Sequence, residues 1–411
     1  MGMDEGQADV LEDLMVEDLG GEVAGEKETE QGSQFFVSKR AAAVLKHEIL
    51  RQYVIPFVSK VGSNATGSRV VYLDGYAGPG RYEDGTPGSP ALVLQSASAL
   101  AAFRTLDCYF VERKRGDFRR LKALVDEARA AGISAEAVQG RVEKHLEYVL
   151  ERAQGVPLLA FLDPFGLGLS FGDLTGRIFG PQRPRGPGGW NATEVLLNFS
   201  ANAVRRIGGL LTADKEHKNT SGTLAAMDAA CGGPWWRDEF LTSADNTEAV
   251  ERIVSGFTKR VCKSTHSGAW TVAVRNRVHH QPVYHLVFFS RSEHGLWLFG
   301  EANSLAQEVW RRECVGPPDP ESLFGTDLLF EPEEEYRRQQ WVREIKSNIE
   351  RLLTEHGTFT VRERHIEVMG SAMDEARKMH IRAAVKQLYK EGKTSCNGTG
   401  DVEKFVITPP P

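Results

Sequence analysis

The 411-residue chain has few cysteines, and none of the five stands in a C-x-x-C pair. Cys108, Cys231, Cys262, Cys314 and Cys396 are widely scattered, which argues against a zinc or iron–sulfur site built by this chain. It also points to a reducing, cytoplasmic setting. Long apolar runs are missing too: none approaches the roughly 18 residues of a membrane span, and no basic segment leads into an apolar one near the start. His279, His280 and His285 lie in or near strand-like runs with no carboxylate or cysteine at ligand spacing, so no metal site is expected. Residues 1–34 lack aromatics and hold eleven Asp and Glu against one lysine, Lys27. Such a stretch cannot bury enough surface to offset chain entropy, and a disordered acidic tail is expected. Taking its charge of −10 from the total of −6 leaves +4 for the rest. A mildly basic body permits a nucleic-acid partner without demanding one.

What is present is core material, 41% hydrophobic against 26% charged residues, enough for two or three domains of the usual size of about 100–200 residues. The informative stretch is RVVYLDGYAGPGRY, Arg69 to Tyr82. Val70 to Leu73 reads as a strand buried on both faces, with Asp74 at its end. Gly75, Gly78 and Gly80 follow, with Pro79 locking the turn. Glycines at a strand's carboxyl end let backbone N–H groups approach a ligand that a side chain would keep away. A polar insertion, Arg81 to Gly88, separates this loop from a helix whose N-cap and first residue read as Ser89 and Pro90. A dinucleotide fingerprint would run straight from its glycines into the helix, so a nicotinamide or flavin is disfavoured.

The chain around this loop alternates strand and helix. Phe35 to Val58 is a predicted helix with Val44, Leu45, Ile49 and Tyr53 at helical spacing and Pro56 limiting its end. Its basic residues, Lys39, Arg40, Lys46 and Arg51, read as a solvated face. Strands are expected at Leu106–Glu112, Ala135–Gln139, Pro157–Asp163 and Glu194–Phe199, with helices at Asp117–Ala131 and Val142–Ala153. This alternation means crossovers, a parallel α/β sheet and ligands at the strands' carboxyl ends. Asp74, Glu112 and Asp163 all fall at such ends. Glu112 stands where an acid accepts hydrogen bonds from ribose hydroxyls. Asp163 opens D-P-F-G, with Phe165 beside it. Any one of these acids alone reads as a cap or loop ion pair; the three together with the glycine loop read as a site. Further on, Trp270–Arg275 and Val283–Ser290 look like an antiparallel pair.

A parallel sheet closed by such a pair resembles the Rossmann-like class I S-adenosylmethionine-dependent methyltransferases. D-x-Y-A-G-P-G resembles their first motif, Glu112 their second-strand acid, and D-P-F-G their fourth motif. The resemblance implies S-adenosylmethionine bound by Asp74, Gly75, Gly78, Gly80 and Glu112. It also implies Asp163 accepting a hydrogen bond from a target amine, with Phe165 against the base. The chain departs from D-P-P-F or N-P-P-Y in having Phe165 where the second proline belongs and Gly166 where the aromatic belongs.

More of the chain, residues 46–200, is similar to the three-Cys-motif partner protein family, TcmP. The matching segments are K-x-x-I-L-x-x-Y (Lys46 to Tyr53), Y-L-D-x-Y-A-G-P-G-R-Y, D-G-x-x-G-S-P (Asp84 to Pro90), F-L-D-P-F-G-L and L-L-N-F-S. This resemblance implies a methyltransferase-like domain, often with a C-terminal winged helix. It also implies a partner bearing a three-cysteine, iron–sulfur-type motif.

The expected organisation is an acidic tail over 1–34, a methyltransferase-like domain over 35–329 with an insertion at 201–269, and a winged helix-turn-helix over 336–411. Within the insertion, residues 213–269 read as a helical cap. Gly180 to Gly189, with Arg183 and Arg185, reads as a surface loop or a lid touching phosphates. Phe330–Glu335 reads as an acidic linker. Beyond it come a stripe of Trp341, Ile345, Ile349 and Leu352, then a helix bearing Arg377, Lys378, Arg382, Lys386 and Lys390. A hairpin-like wing is expected from Asn397-Gly398 to Ile407. That is the order of a winged helix used on DNA or RNA, or on a protein. Two functions follow from different classes: a methyltransferase acting on or with nucleic acid, and a catalytically degenerate methyltransferase-fold scaffold for an iron–sulfur or DNA-processing partner.

Overall fold

A computed structural model describes residues 30–164, 166–180, 192–213, 219–277, 280–315 and 327–410. The chain divides into two compact units, 1–296 and 297–411. The first unit begins with helix α1 (Glu30–Gly62), then strand β1 (Arg69–Asp74), α2 (Ser89–Leu100), β2 (Thr105–Glu112), α3 (Arg115–Ala130), β3 (Ala135–Gln139), α4 (Val142–Arg152) and β4 (Leu158–Leu162). There follow β5 (Thr193–Phe199), α5 (Ala201–Gly209), α6 (Thr220–Cys231), α7 (Trp235–Thr242), α8 (Asn246–Thr265), β6 (Gly268–Val274) and β7 (Tyr284–Ser290). The seven strands form one sheet in the order β3-β2-β1-β4-β5-β7-β6. Strands β1 to β5 pair in parallel, and β7 runs antiparallel to both β5 and β6. This is the α/β, mostly parallel sheet expected above, with its antiparallel closure.

Why β1 sits inside the sheet is visible in its residues. Val70 to Asp74 are all buried, as a strand covered on both faces must be. Leu73 lies opposite Tyr109 on one side and Ala160 on the other. The parallel register therefore brings the ends of β1, β2, β4 and β5 to one edge of the sheet, and with them Asp74, Glu112, Asp163 and Asn198.

Pro56 does not limit α1, which continues to Gly62. A helical proline forfeits one backbone hydrogen bond. Here Tyr53, Phe57 and Val58 around it are buried, and that apolar packing keeps the helix in line. The 213–269 stretch is mostly helical where described, in α6, α7 and α8, and its last two residues already belong to β6. Trp236 anchors it, fully buried, with its Nε1 donating to Asp228 Oδ1 at 2.8 Å.

The second unit contains most of α9 (Glu293–Val315), then α10 (Asp327–His356), β8 (Phe359–Thr360), α11 (His365–Met369), α12 (Lys378–Lys390) and β9 (Val406–Ile407). Trp341, Ile345, Ile349 and Leu352 face inward as their spacing predicts, in one core with Ile381, Val385 and Leu388. Phe330–Glu335 is not a linker but part of α10. Its apparent excess of acid is neutralised across the helix pair: Glu334 receives the Arg311 guanidinium at 3.0 and 2.5 Å, both groups buried. Val406–Ile407 pairs with Phe359–Thr360 rather than with the residues after Asn397-Gly398.

The basic residues of α12 also differ from expectation. Arg377 pairs with Glu308, Lys378 with Glu403, and Arg382 donates to the carbonyls of Gly398 and Gly400 at 3.1 and 2.9 Å. Those three fasten the unit together, and Lys386 and Lys390 remain on its exposed face. Among the described residues no helix is long and apolar enough to cross a membrane.

Candidate functional site

The loop after β1 is fixed from below. Asp74 is wholly buried; its Oδ2 accepts from Ser89 Oγ at 2.7 Å and its Oδ1 from the Tyr76 N–H at 3.2 Å. Ser89 therefore spends its hydroxyl on Asp74 instead of capping α2, whose N-cap is Gly88. Burial pushes the Asp74 carboxyl up to about 7, against the pull of those two hydrogen bonds. The acid expected to touch the cofactor thus ties the loop to α2 and does not line the cleft.

Gly75, Gly78 and Glu112 do line one cleft, of about 120 Å³, together with Pro79, Arg141 and Gly166. The glycines have different tasks. Gly78 has φ +62°, and a β-carbon there would meet nothing within 4 Å, so its bare face looks into open space. Gly80 has φ +83°, and a β-carbon there would strike Leu124 of α3 at 2.6 Å. The position expected to guard the ligand's space instead lets a helix approach. Glu112 completes the cleft wall. Its Oε2 accepts from the Gly78 N–H at 2.8 Å and its Oε1 from the Lys114 N–H at 2.6 Å. Burial raises its pKa, and the two backbone donors oppose that rise.

At the ends of β4 and β5 the arrangement is closed. A lone Asp163, hydrated or bonded to backbone, is what the sequence predicts, since no basic residue is near it in the chain. In the fold its Oδ2 pairs with Lys46 of α1 and its Oδ1 accepts from Asn198 Nδ2 at 2.7 Å. The Lys46 and Asp163 side chains are only 13% and 16% exposed, so Lys46 is no solvated face. Burial works against its ammonium, but the Asp163 carboxylate outweighs it and holds the pKa above the ordinary lysine value. Tyr284 frames the pair, its ring centroid 5.9 Å from Lys46 Nζ and its hydroxyl donating to the Ala42 carbonyl at 2.7 Å. His47 beside it is pushed down to about 3 by burial and by Lys46, so it stands neutral there.

Phe165 lies outside the described residues, as do His279 and positions 181–189 of the Pro/Gly loop. Among the described residues no cluster of three His, Cys, Asp or Glu could hold a metal. Lys46 and Asn198 are the residues that sequence reasoning missed as site members. The signal was present, for both fall inside segments that carry the family resemblance, K-x-x-I-L-x-x-Y and L-L-N-F-S.

No family model matches the chain. No curated protein matches it either. Solved structures do. The methyltransferase domain of bacterial CtHen1 is 13% identical, covering 59% of this chain and 99% of its own, at a TM-score of 0.29. Coclaurine N-methyltransferase, bound to N-methylheliamine and SAH, is 14% identical, with 69% and 94% covered and a TM-score of 0.25. PKMT2 from Rickettsia typhi is 12% identical, with 54% and 43% covered and a TM-score of 0.28. These are distant likenesses, and the fold is read from the strand order and register.

Proposed function

We propose that the chain binds S-adenosylmethionine in the cleft between Gly78 and Glu112. The carrying observation is the cleft itself: open space at Gly78 faces a carboxylate at the ligand-binding edge of the sheet. Each Glu112 oxygen keeps a second lone pair for a ribose hydroxyl, and Gly78 lets the backbone come close to the ligand. When bound, the cofactor would supply a methyl group on a sulfonium. The chain's own residues bind and orient it, and the Lys46–Asp163 pair fixes a rigid polar wall near β4 and β5.

The acceptor in this reading is nucleic acid, its target placed near Asp163 and Phe165. The order of α10, β8, α11, α12 and β9 is compatible with a winged helix, and Lys386 and Lys390 on its exposed face suit phosphates. The resemblance to the TcmP family adds a three-cysteine, iron–sulfur-type protein as partner. The five free cysteines fit action in a reducing cytoplasm. A second reading, the degenerate scaffold, is favoured by one observation: Asp163 is tied to Lys46 and Asn198 and does not line the cleft.

Calorimetric titration of the full chain with S-adenosylmethionine and S-adenosylhomocysteine tests the cleft. Saturable binding, weakened about ten- to a hundredfold in Glu112→Ala by loss of a charge-assisted hydrogen bond, is expected. No binding by the wild-type chain refutes it. For the nucleic-acid part, Lys386→Glu with Lys390→Glu should lower the slope of log affinity against log salt by about 2. An unchanged slope favours a protein contact.

A further inference from the structure

The loop after β1 is made of small residues with one exception. Gly75, Ala77, Gly78 and Gly80 are small, whereas Tyr76 among them carries an aromatic ring. Its backbone is tied to the strands on either side. The Gly75 N–H donates to the Phe161 carbonyl of β4 at 3.0 Å, and the Ala77 N–H to the Val111 carbonyl of β2 at 2.9 Å. The half-buried Tyr76 side chain borders the cleft and packs against the core. Its hydroxyl ends 3.7 Å from where a β-carbon on Gly168 would stand, so the side chain spans from the glycine loop to the loop after β4. The charges around the cleft are already matched. Its acids are Glu112, Asp117 and Glu143, and Arg113, Lys114 and Arg141 border it as well. Asp117 is paired with Arg120 at 2.6 Å and Glu143 with Arg141 at 3.7 Å, which leaves Glu112 for a ribose. A ligand cation entering here meets as many bordering cations as anions, with no carboxylate left over for it. The negative face of an aromatic ring is the other attraction a cation can use.

We propose that Tyr76 reads the charge on the cofactor's sulfur, its ring favouring the sulfonium of S-adenosylmethionine over the neutral thioether of S-adenosylhomocysteine. The proposal rests on the cofactor reading of the cleft and assigns the part of it that Glu112 leaves open. Glu112 ends β2, with β3 on one side and β1 on the other. The sulfur is attached to the ribose, so a ribose on Glu112 places it beside one of these neighbours. Toward β3 the cleft ends at Gly140 and Arg141; toward β1 it reaches Tyr76 and then Gly166, in the loop that opens with Asp163. The methyl group has to face an acceptor on that second side, which brings the sulfonium to Tyr76. The two ligands differ only in the methyl group and the charge it confers. A tyrosine that merely filled space would hold both alike, whereas a ring face discriminates between them and loosens its hold on the product.

The test is the ratio of the two affinities, measured by calorimetry on the full chain. Wild type should bind S-adenosylmethionine about three- to thirtyfold more tightly than S-adenosylhomocysteine, the range a cation–π contact spans from exposed to desolvated sites. Tyr76→Phe should keep that ratio. Tyr76→Leu should bring it close to one with S-adenosylhomocysteine affinity little changed. Equal affinities in wild type, or a ratio that survives in Tyr76→Leu, overturns the proposal. Should the leucine variant fail to fold, ring-fluorinated phenylalanines at position 76 keep the shape while draining the negative face. Affinity for S-adenosylmethionine should then fall with each added fluorine while that for S-adenosylhomocysteine holds, and a flat series overturns the proposal. Binding of neither ligand by wild type is a different result: it removes the cofactor reading, and this proposal with it.

Discussion

Two ends of one sheet edge are built on opposite plans. At β1 and β2 the protein leaves room: Gly78 faces open space, and Glu112 accepts from two backbone N–H groups. At β4 and β5 Asp163 stands outside that cleft, its two oxygens tied to Lys46 and Asn198. The lesson is that an acid at a strand end is not by itself a binding group. Whether it borders the cleft decides, since all three acids accept one hydrogen bond on each oxygen. Glu112 borders the cleft, whereas Asp163 is tied to Lys46 and Asn198, and Asp74 to the loop.

The contrast is broken most forcefully at the closed end. Lys46→Met leaves Asp163 a nearly buried carboxylate without its cation, and should cost about 3–5 kcal/mol in denaturant unfolding. Adding Asp163→Asn should restore most of that loss. If Lys46→Met is as stable as wild type, the pair contributes nothing and the closed end is misdescribed.

At the open end, the two glycines separate binding from folding. Gly80→Val combines a left-handed backbone with a clash against Leu124, and about 3 kcal/mol of destabilisation is expected. Gly78→Ala bears only the backbone cost of about 1–2 kcal/mol. Gly78 lines the cleft, however, so S-adenosylmethionine affinity should fall by far more than stability. Equal profiles for the two variants would erase the distinction drawn here.

A gentler probe is pH. Asp74 and Glu194 are both pushed up to about 7 by burial, Glu194 against donors from Tyr53 and Ser290. The folded chain keeps protons that the unfolded chain releases at ordinary carboxylate pH, so these groups stabilise the fold most below about pH 4. That contribution is lost as pH rises toward 7, an effect on the order of 3 kcal/mol for each group. Asp74→Asn should flatten melting temperature against pH between 5 and 7, and an unaltered profile would assign the titration elsewhere.

The open end was legible in the sequence because its parts are neighbours in the chain. Strand, acid, glycines and proline lie within Arg69–Tyr82, and Glu112 ends the next strand by simple alternation. The closed end was not, because its bonds cross long distances: 117 residues separate Lys46 from Asp163 and 242 separate Tyr284 from Ala42. A lysine on a helix's polar side looks the same whether water or a carboxylate awaits it. Likewise, a glycine reveals that a side chain is unwelcome without revealing which neighbour excludes it. Gly80 therefore resembled Gly78 until α3 was seen against it. In the second unit, the charge of α12 could be counted, but Glu308 and Glu403 decided which cations were free.

The position of Lys46 in the first described helix sets a schedule for synthesis. Its partner carboxylate is made 117 residues later, and at about 5–20 residues per second the ribosome takes on the order of ten seconds to reach it. Tyr53 must wait longer for Glu194, 141 residues on, and the carbonyl of Ala42 longer still for Tyr284. During that interval Ile49, Phe57 and Val58, buried in the finished fold, have no sheet to cover them. The first described helix of the sheet unit thus packs on α2 well before its polar ties to β4, β5 and β7 can form, and a nascent chain stalled before β4 would hold that helix without its ion pair.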